Sequence, residues 1–334
     1  MRRRDLIAGA SALIACPSVV RGQHGSQVPI VAVLSPGSAD MAKPRVEAIQ
    51  KGLQEAGLFA GTDYLTELRV AEGKLERLPE LARELESLKP AVMVVSGNLA
   101  PVRGLLPTTK VVFTAIAIDP VERGFVQSYA RPGGMVTGNV LGALGGEDTI
   151  AEKRISLFKE LVPSTSRLGI FGPITVAGVS GNLFGKELSA AARVASRFGF
   201  ETRAYRLQTI DELEAAMASA VRDGIDSVYL SGENLLFNNF SRALPVIAAA
   251  SKPTLGTYVE WARAGVLMTY AADLFDGFRR SGLYAAKVLK GENPGDLPIE
   301  QPTKFTMAIN AKTANQLRIS VPPLLLAQAD EVIE

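Results

Sequence analysis

Residues 109–142, TKVVFTAIAIDPVERGFVQSYARPGGMVTGNVLG, decide how the rest of the chain is read. Residues 110–118 form an apolar, β-branched run without alternation, the pattern of a parallel strand covered on both faces. Asp119-Pro120 ends the run, because proline cannot donate to a strand ladder. Residues 121–130 carry a short helical pattern, 131–134 (RPGG) a turn, and 136–140 a new strand that leads into further glycines. A strand with a polar residue at its carboxyl end, then a helix and an exit strand, predicts the edge of one α/β lobe and the bridge to a second.

On the amino-terminal side, strands over 28–34, 64–70 and 91–95 alternate with helices over 43–56 and 75–88. Repeated βα units build a parallel sheet with right-handed crossovers, so the loops after its strands share one rim, where ligands of such sheets sit. These loops are small and polar: Ser35-Pro36-Gly37-Ser38, Ser96-Gly97-Asn98-Leu99-Ala100 and Asp119. Backbone N–H groups at a strand-to-helix turn suit a carboxylate or phosphate. The first loop lacks G-x-G-x-x-G, so it carries no dinucleotide fingerprint.

Beyond the bridge the pattern starts again, with helices over 148–161, 183–197 and 239–250 and strands over 167–171, 201–207, 226–230 and 253–256. Thr209-Ile210-Asp211-Glu212 is a capping-box pattern that opens one more helix. A strand over 266–270, a helix over 274–289 and a strand over 303–309 follow. The expected fold is α/β: two doubly wound parallel-sheet lobes joined by a three-strand hinge, with a ligand cleft between the lobes. Residues 28–138 plus 266–298 are assigned to the first lobe and 139–265 plus 299–334 to the second, with crossings near 136–141, 257–270 and 297–304.

The chain has 334 residues, 47% hydrophobic and 21% charged, enough for two cores of ordinary size. Residues 1–22 read as an export signal: Arg2-Arg3-Arg4, an apolar run over 6–15, and an aliphatic-x-small site at Val20-Arg21-Gly22 that places cleavage before Gln23. Arg3-Arg4-Asp5-Leu6-Ile7 is also similar to a twin-arginine signal. Leu13-Ile14-Ala15-Cys16 fits the alternative of a lipoprotein signal, in which Cys16 would carry a lipid anchor. Either route leads out of the cytoplasm, to the periplasm.

Residues 1–22 hold four of the 36 basic and one of the 34 acidic side chains, which leaves 32 against 33. A nearly neutral chain has no electrostatic footprint for nucleic acid. The only histidine, His24, sits in the polar tail after the signal, and Cys16 lies within it. No Ser-His-Asp triad, cysteine nucleophile or zinc set can be built from what remains, and neither metal nor cofactor is expected. An enzyme on the same scaffold is the alternative; it would need carboxylates such as Asp119 with Glu233 or Glu260 as acid and base, or a cofactor.

Candidate ligand contacts follow from the rim. Ser35, Ser38, Ser96, Gly97 and Asn98 offer donors to an acceptor group such as a carboxylate, and Ala115 lies on the strand that approaches the same rim. Asp119 is a counter-charge for an amino group or else the cap of an Asx turn. Asp273 is a second anion or else the N-cap of the next helix. Asn182 and Gly232 lie on second-lobe loops, and Phe237, Tyr258, Trp261 and Tyr270 are aromatic candidates for a mostly apolar pocket wall. Trp261, at helical spacing from Tyr258, also suits the core.

Five segments together resemble a known family: AEGKLERLPELARELESL (71–88), DPVERGFVQSYARPGGMVTG (119–138), AGVLMTY (264–270), KVLKGENPGDLPIEQPTKF (287–305) and ISVPPLLLAQADEVIE (319–334). Their joint spacing is similar to that of ABC-transporter substrate-binding proteins of the tryptophan/tyrosine-binding type. The resemblance implies the type I periplasmic-binding-protein fold, a monomer that closes on a small molecule and presents it to an ABC permease in the inner membrane. Better-understood relatives bind aromatic amino acids. A ligand sensor without transport is the second expectation on this fold. Met135 stands where the family usually has Asn, and the loops over 96–100 and 172–182 also depart from its pattern.

Overall fold

The computed structural model describes residues 28–97, 99–116, 119–142, 147–173, 183–232 and 234–334. The export signal, Asn98, Asn182 and Glu233 therefore lie outside the described residues. In chain order the first part holds β1 (Ile30–Ser35), α1 (Ala39–Glu55), β2 (Leu65–Val70), α2 (Leu78–Ser87), β3 (Val92–Ser96), α3 (Ala100–Arg103), β4 (Val111–Ile116) and β5 (Val136–Val140). There follow α4 (Glu147–Leu161), β6 (Arg167–Pro173), α5 (Leu183–Arg197), β7 (Glu201–Leu207), α6 (Leu213–Arg222), β8 (Ser227–Leu230), α7 (Asn234–Asn238) and α8 (Phe240–Ala249). The last elements are β9 (Thr254–Gly256), α9 (Val259–Ala264), β10 (Met268–Ala272), α10 (Leu274–Leu289), β11 (Phe305–Asn310), α11 (Ala311–Gln316), α12 (Pro323–Gln328) and β12 (Glu331–Ile333).

The strands form two sheets, one per lobe. The first has the order β2-β1-β3-β4-β5 and is parallel throughout. Its inner strands β3 and β4 are buried at every position, which explains their largely apolar sequence, while the edge strand β2 mixes polar and apolar residues. The second sheet runs β12-β11-β10-β9-β8-β6-β7, and within it β11 is antiparallel to β10.

The helix α10 returns to the first lobe and lies on α1 at backbone contact. Two glycines make this approach possible: a Cβ on Gly52 would sit 1.9 Å from the Arg279 carbonyl oxygen, and one on Gly282 would sit 2.0 Å from that of Ile49. Arg279 of α10 reinforces the crossing through an ion pair to Glu55 of α1 at 2.6 Å and is held in place by Asp276 of its own helix, also at 2.6 Å.

Two expectations need correction. Residues 266–270 do not open a return to the first lobe, because β10 hydrogen-bonds to β9 and β11 in the second sheet. The chain crosses later, at Ala272–Asp273, where α10 begins. Nor do residues 121–130 form a helix. Proline at 120 and a left-handed glycine at 124 (φ 69°) leave room for a single turn, too short to nucleate one.

Three segments meet where the lobes join. The Glu300 N–H donates to the Gly138 carbonyl and the Val140 N–H to the Glu300 carbonyl, both at 3.0 Å, while the Asp273 N–H donates to the Lys304 carbonyl at 3.0 Å. Ala115 faces this junction from a bulge. Its φ is 55°, and the β4–β5 register slips between Phe113 and Ile116. Gly138 is required opposite, since a Cβ there would lie 1.9 Å from the Phe113 carbonyl oxygen.

Candidate functional site

Both sheets present carboxyl ends to the space between the lobes. Ser35 ends β1 and Ser96 ends β3, while Ser231 and Thr257 follow β8 and β9. Ser38 opens α1 as its N-cap, its Oγ accepting the Met41 N–H at 3.4 Å, so this hydroxyl serves the helix. One to two turns on, Arg45 shares the buried stripe of α1 with Ala42, Ile49, Gly52 and Leu53. Because α10 clamps that stripe, the Arg45 guanidinium is held against rings from both lobes: its Cζ is 4.5 Å from the centroid of Phe237 in α7 and 5.7 Å from that of Phe278 in α10.

Phe237 begins an aromatic row. Its ring centroid lies 4.5 Å from Tyr258, Tyr258 meets Trp261 edge-on at 5.0 Å, and Trp261 stacks on Phe240 at 4.6 Å. Trp261 and Phe240 back the row inside the second lobe, while Phe237 and Tyr258 stand at its front beside Arg45. The Tyr258 hydroxyl donates to the Gly232 carbonyl at 2.5 Å. One apolar cluster continues from Ile49, Leu53 and Phe278 of the first lobe through Phe237 and Tyr258 of the second.

The electrostatics of this corner are unbalanced. Arg45 is 5% exposed, and its Nη1 has no hydrogen-bond partner among the described residues. Burial pulls its pKa below the ordinary arginine value, against the opposing pull of Glu260 and Tyr258. Glu260, in the first turn of α9, is half-buried; burial raises its pKa, while its own backbone N–H, Arg45 and Arg263 favour the charged form. Arg45 and Glu260 attract each other without forming an ion pair. Ser35 Oγ, Ser231 Oγ, Thr257 Oγ1 and both amide atoms of Asn238 are also buried without partners among the described residues. Such groups are costly unless something satisfies them, and a polar molecule in the cleft would do so.

The residues expected from sequence separate into three groups. Ser35, Ser96, Phe237 and Tyr258 stand on the cleft rim or in its aromatic row. Ser38, Gly97, Asp119, Gly232 and Asp273 are engaged elsewhere: the Gly97 N–H donates to the Thr114 carbonyl at 2.9 Å, and Asp119 Oδ1 accepts the Val121 and Glu122 N–H groups at 2.9 and 3.3 Å. Asp273 caps α10 through the Asp276 N–H and pairs with Lys304 at 2.8 Å, which holds its carboxyl below the usual range despite burial. Gly232 makes room for Thr257, whose Oγ1 would lie 2.5 Å from a Cβ at that position. Tyr270 faces away, stacked on Phe305 at 5.9 Å and packed with the second lobe's other cluster, while Ala115 lies at the hinge. Asn98 and Asn182 are outside the described residues.

Sequence reasoning passed over Arg45, placed Ser231, Thr257 and Asn238 on second-lobe rim loops without singling them out, and considered Glu260 only as a catalytic suspect. One signal was available for Arg45. A cation at the i−4 position to Ile49, on the apolar face of an amphipathic helix, is misplaced unless it has a purpose.

Comparison with known proteins agrees with this architecture. A tyrosine-binding protein of Clostridioides difficile (strain R20291) is 22% identical over 300 residues, covering 88% of this chain and 82% of its own. The structure of an ABC domain in complex with L-Trp from Streptococcus pneumonia superposes with a TM-score of 0.78 at 22% identity, covering 92% of this chain and 100% of the other. A conserved domain protein from Vibrio cholerae gives 0.77 at 20% identity, with the same coverage. These likenesses place the chain among type I periplasmic-binding-protein folds. The model of the ABC transporter substrate binding proteins matches residues 30–333, nearly the whole described chain, and the protein belongs to that family.

Proposed function

We infer that this chain is the extracytoplasmic receptor of an ABC importer: it takes an amino acid or closely related small molecule between its lobes and delivers it to an inner-membrane permease without altering it. The observation that carries this reading is the set of buried polar atoms without partners among the described residues, contributed by Ser35 and Arg45 of one lobe and by Ser231, Thr257 and Asn238 of the other, the lobe that also holds Phe237 and Tyr258. A ligand that satisfies groups on both sides binds the closed arrangement better than the open one, which is what drives a hinge closure. Apolar walls with a few placed polar groups suit an amino acid with an aromatic side chain, in keeping with the tyrosine- and L-Trp-binding relatives. Export to the periplasm through residues 1–22 and a monomeric state complete the proposal.

Thermal unfolding of the chain from Gln23, with and without amino acids, aromatic acids, purines and sugars, tests it. A ligand at about 100 times its Kd adds roughly 2.7 kcal/mol to the folded state, a shift of several degrees. An amino acid that shifts the midpoint and is recovered unchanged supports the reading. Consumption of the compound would overturn it in favour of an enzyme.

A further inference from the structure

Arg45 and Glu260 belong to different lobes and meet through one aromatic chain: Arg45 lies over Phe237, Phe237 packs on Tyr258, and Glu260 follows Tyr258 by two residues in the first turn of α9. The guanidinium is fixed by α1 and α10 and lacks a partner for Nη1, while the half-buried carboxylate forms no ion pair among the described residues. Each feels the other electrostatically, yet they stay apart. A cation and an anion presented separately by rigid elements are complementary to a molecule that carries both charges. We propose, resting on the amino-acid reading above, that they form a zwitterion clamp, in which Arg45 receives the ligand's carboxylate and Glu260 its ammonium group.

The surrounding groups fit this assignment better than the alternatives. Ser35 Oγ adds a hydroxyl without a partner among the described residues on the first-lobe side, and Ser231 and Thr257 add two more on the second, together with the amide of Asn238. A neutral polyol would satisfy the hydroxyls but leave the guanidinium uncompensated. A phosphate dianion would meet one cation and the repulsion of Glu260. The neighbouring charges are already committed, since Arg263 pairs with Glu331 at 2.7 Å and Asp273 with Lys304 at 2.8 Å. Phe237 and Phe278 flank the guanidinium, and Tyr258 packs on Phe237, so the corner is walled by aromatic rings that suit an apolar side chain. With one charge per lobe, only a closed molecule engages both ends of the zwitterion, so recognition and closure become one event.

Calorimetric titration of the chain from Gln23 provides the test, with L-tryptophan, L-tyrosine, tryptamine (no carboxylate) and indole-3-propionate (no ammonium) as probes. The wild-type chain is expected to bind at least one of the two amino acids. Arg45→Met should weaken that binding by about tenfold to hundredfold, with Arg45→Lys recovering part of the loss. Glu260→Gln should weaken the same amino acid yet leave the affinity for indole-3-propionate unchanged, a split that general damage to the fold would not give. Circular dichroism checks that each variant is folded, and Arg45→Lys carries the test if Arg45→Met is not. Equal binding of the amino acid by wild type and both variants would overturn the clamp and leave the amino-acid reading standing, as would tryptamine binding as tightly as L-tryptophan. If no amino acid binds the wild-type chain, the clamp falls together with that reading.

Discussion

The guanidinium of Arg45 lies 4.5 Å from the ring centroid of Phe237, and the two residues belong to different lobes. A buried cation with an unpartnered nitrogen weakens the ligand-free protein even as it prepares a binding site. Arg45→Met keeps the length of the stem and its contact with two rings while removing the charge. We expect its unfolding free energy in urea to equal that of wild type or exceed it by up to about 2 kcal/mol. A loss above about 1 kcal/mol would mean that the cation–π contacts hold the fold together and that Arg45 is structural.

Glu260 makes a pH-dependent counterpart. Burial raises its pKa above the ordinary 4.5, so the folded protein holds this proton more tightly than the unfolded chain does. Its stabilising contribution is therefore complete below the unfolded value and is lost as pH rises through the higher folded value. Glu260→Gln should accordingly have a higher Tm than wild type at pH 7, with the difference closing at about pH 4. An unchanged gap across that range would contradict the assignment.

The crossing of α1 and α10 allows no side chain at two positions. Gly282→Ala places a methyl group 2.0 Å from the Ile49 carbonyl oxygen, and helix backbone cannot yield as a flexible side chain can. Prising the helices apart should cost about 1–3 kcal/mol, read as a lower urea midpoint. The separation would also move Arg45 relative to Phe237. Gly291→Ala is not its equivalent as a control, because Gly291 has a φ of 102°. Gly104→Ala, with open space and an ordinary φ, should change stability by less than about 1 kcal/mol.

The second lobe contains its own buried charge network. Arg154 donates from Nε to the Tyr270 carbonyl at 2.8 Å and from Nη1 to Glu187 at 2.6 Å and to the Tyr229 hydroxyl, which itself donates to Glu187 at 2.6 Å. Arg154→Met leaves the carboxylate with a single donor and should cost about 3–5 kcal/mol. Replacing both partners, Arg154→Met with Glu187→Leu, should recover most of that loss. Chemical denaturation of the two variants separates a network that stabilises the lobe from one that only fixes its packing.

The strand-loop-helix alternation was legible because parallel strands buried on both faces are spelled as unbroken apolar runs, as over Val111–Ile116. Boundaries between lobes were harder. The strand Met268–Ala272 precedes a first-lobe helix in sequence, and only its hydrogen bonds to β9 and β11 assign it to the second sheet. Side-chain direction was the other missing quantity. Tyr270 and Tyr258 looked equivalent as aromatics flanking a crossover, yet Tyr270 packs on the cluster around α4 while Tyr258 lies against Phe237 beside Arg45. Asp119 and Asp273 each carried two readings, and local backbone donors claimed both. Arg45 was missed because a charge in a helix is ordinarily solvated; its burial depends on α10, more than two hundred residues further along the chain.

That distance has a consequence for how the molecule is made. Arg279 reaches Glu55 across 224 residues, and between them the chain lays down five of the seven strands of the second sheet. A growing polypeptide can assemble β1 to β5 early, but the face of α1 that receives α10 stays uncovered until β6 to β10 of the other lobe's sheet have been synthesised. Until then the earlier-made lobe waits with an apolar stripe open to solvent, and β11 and β12 complete the other sheet only after α10. Refolding from denaturant should show the same order: burial around α10 is the late event, and it is the step at which chaperones and aggregation compete for the chain.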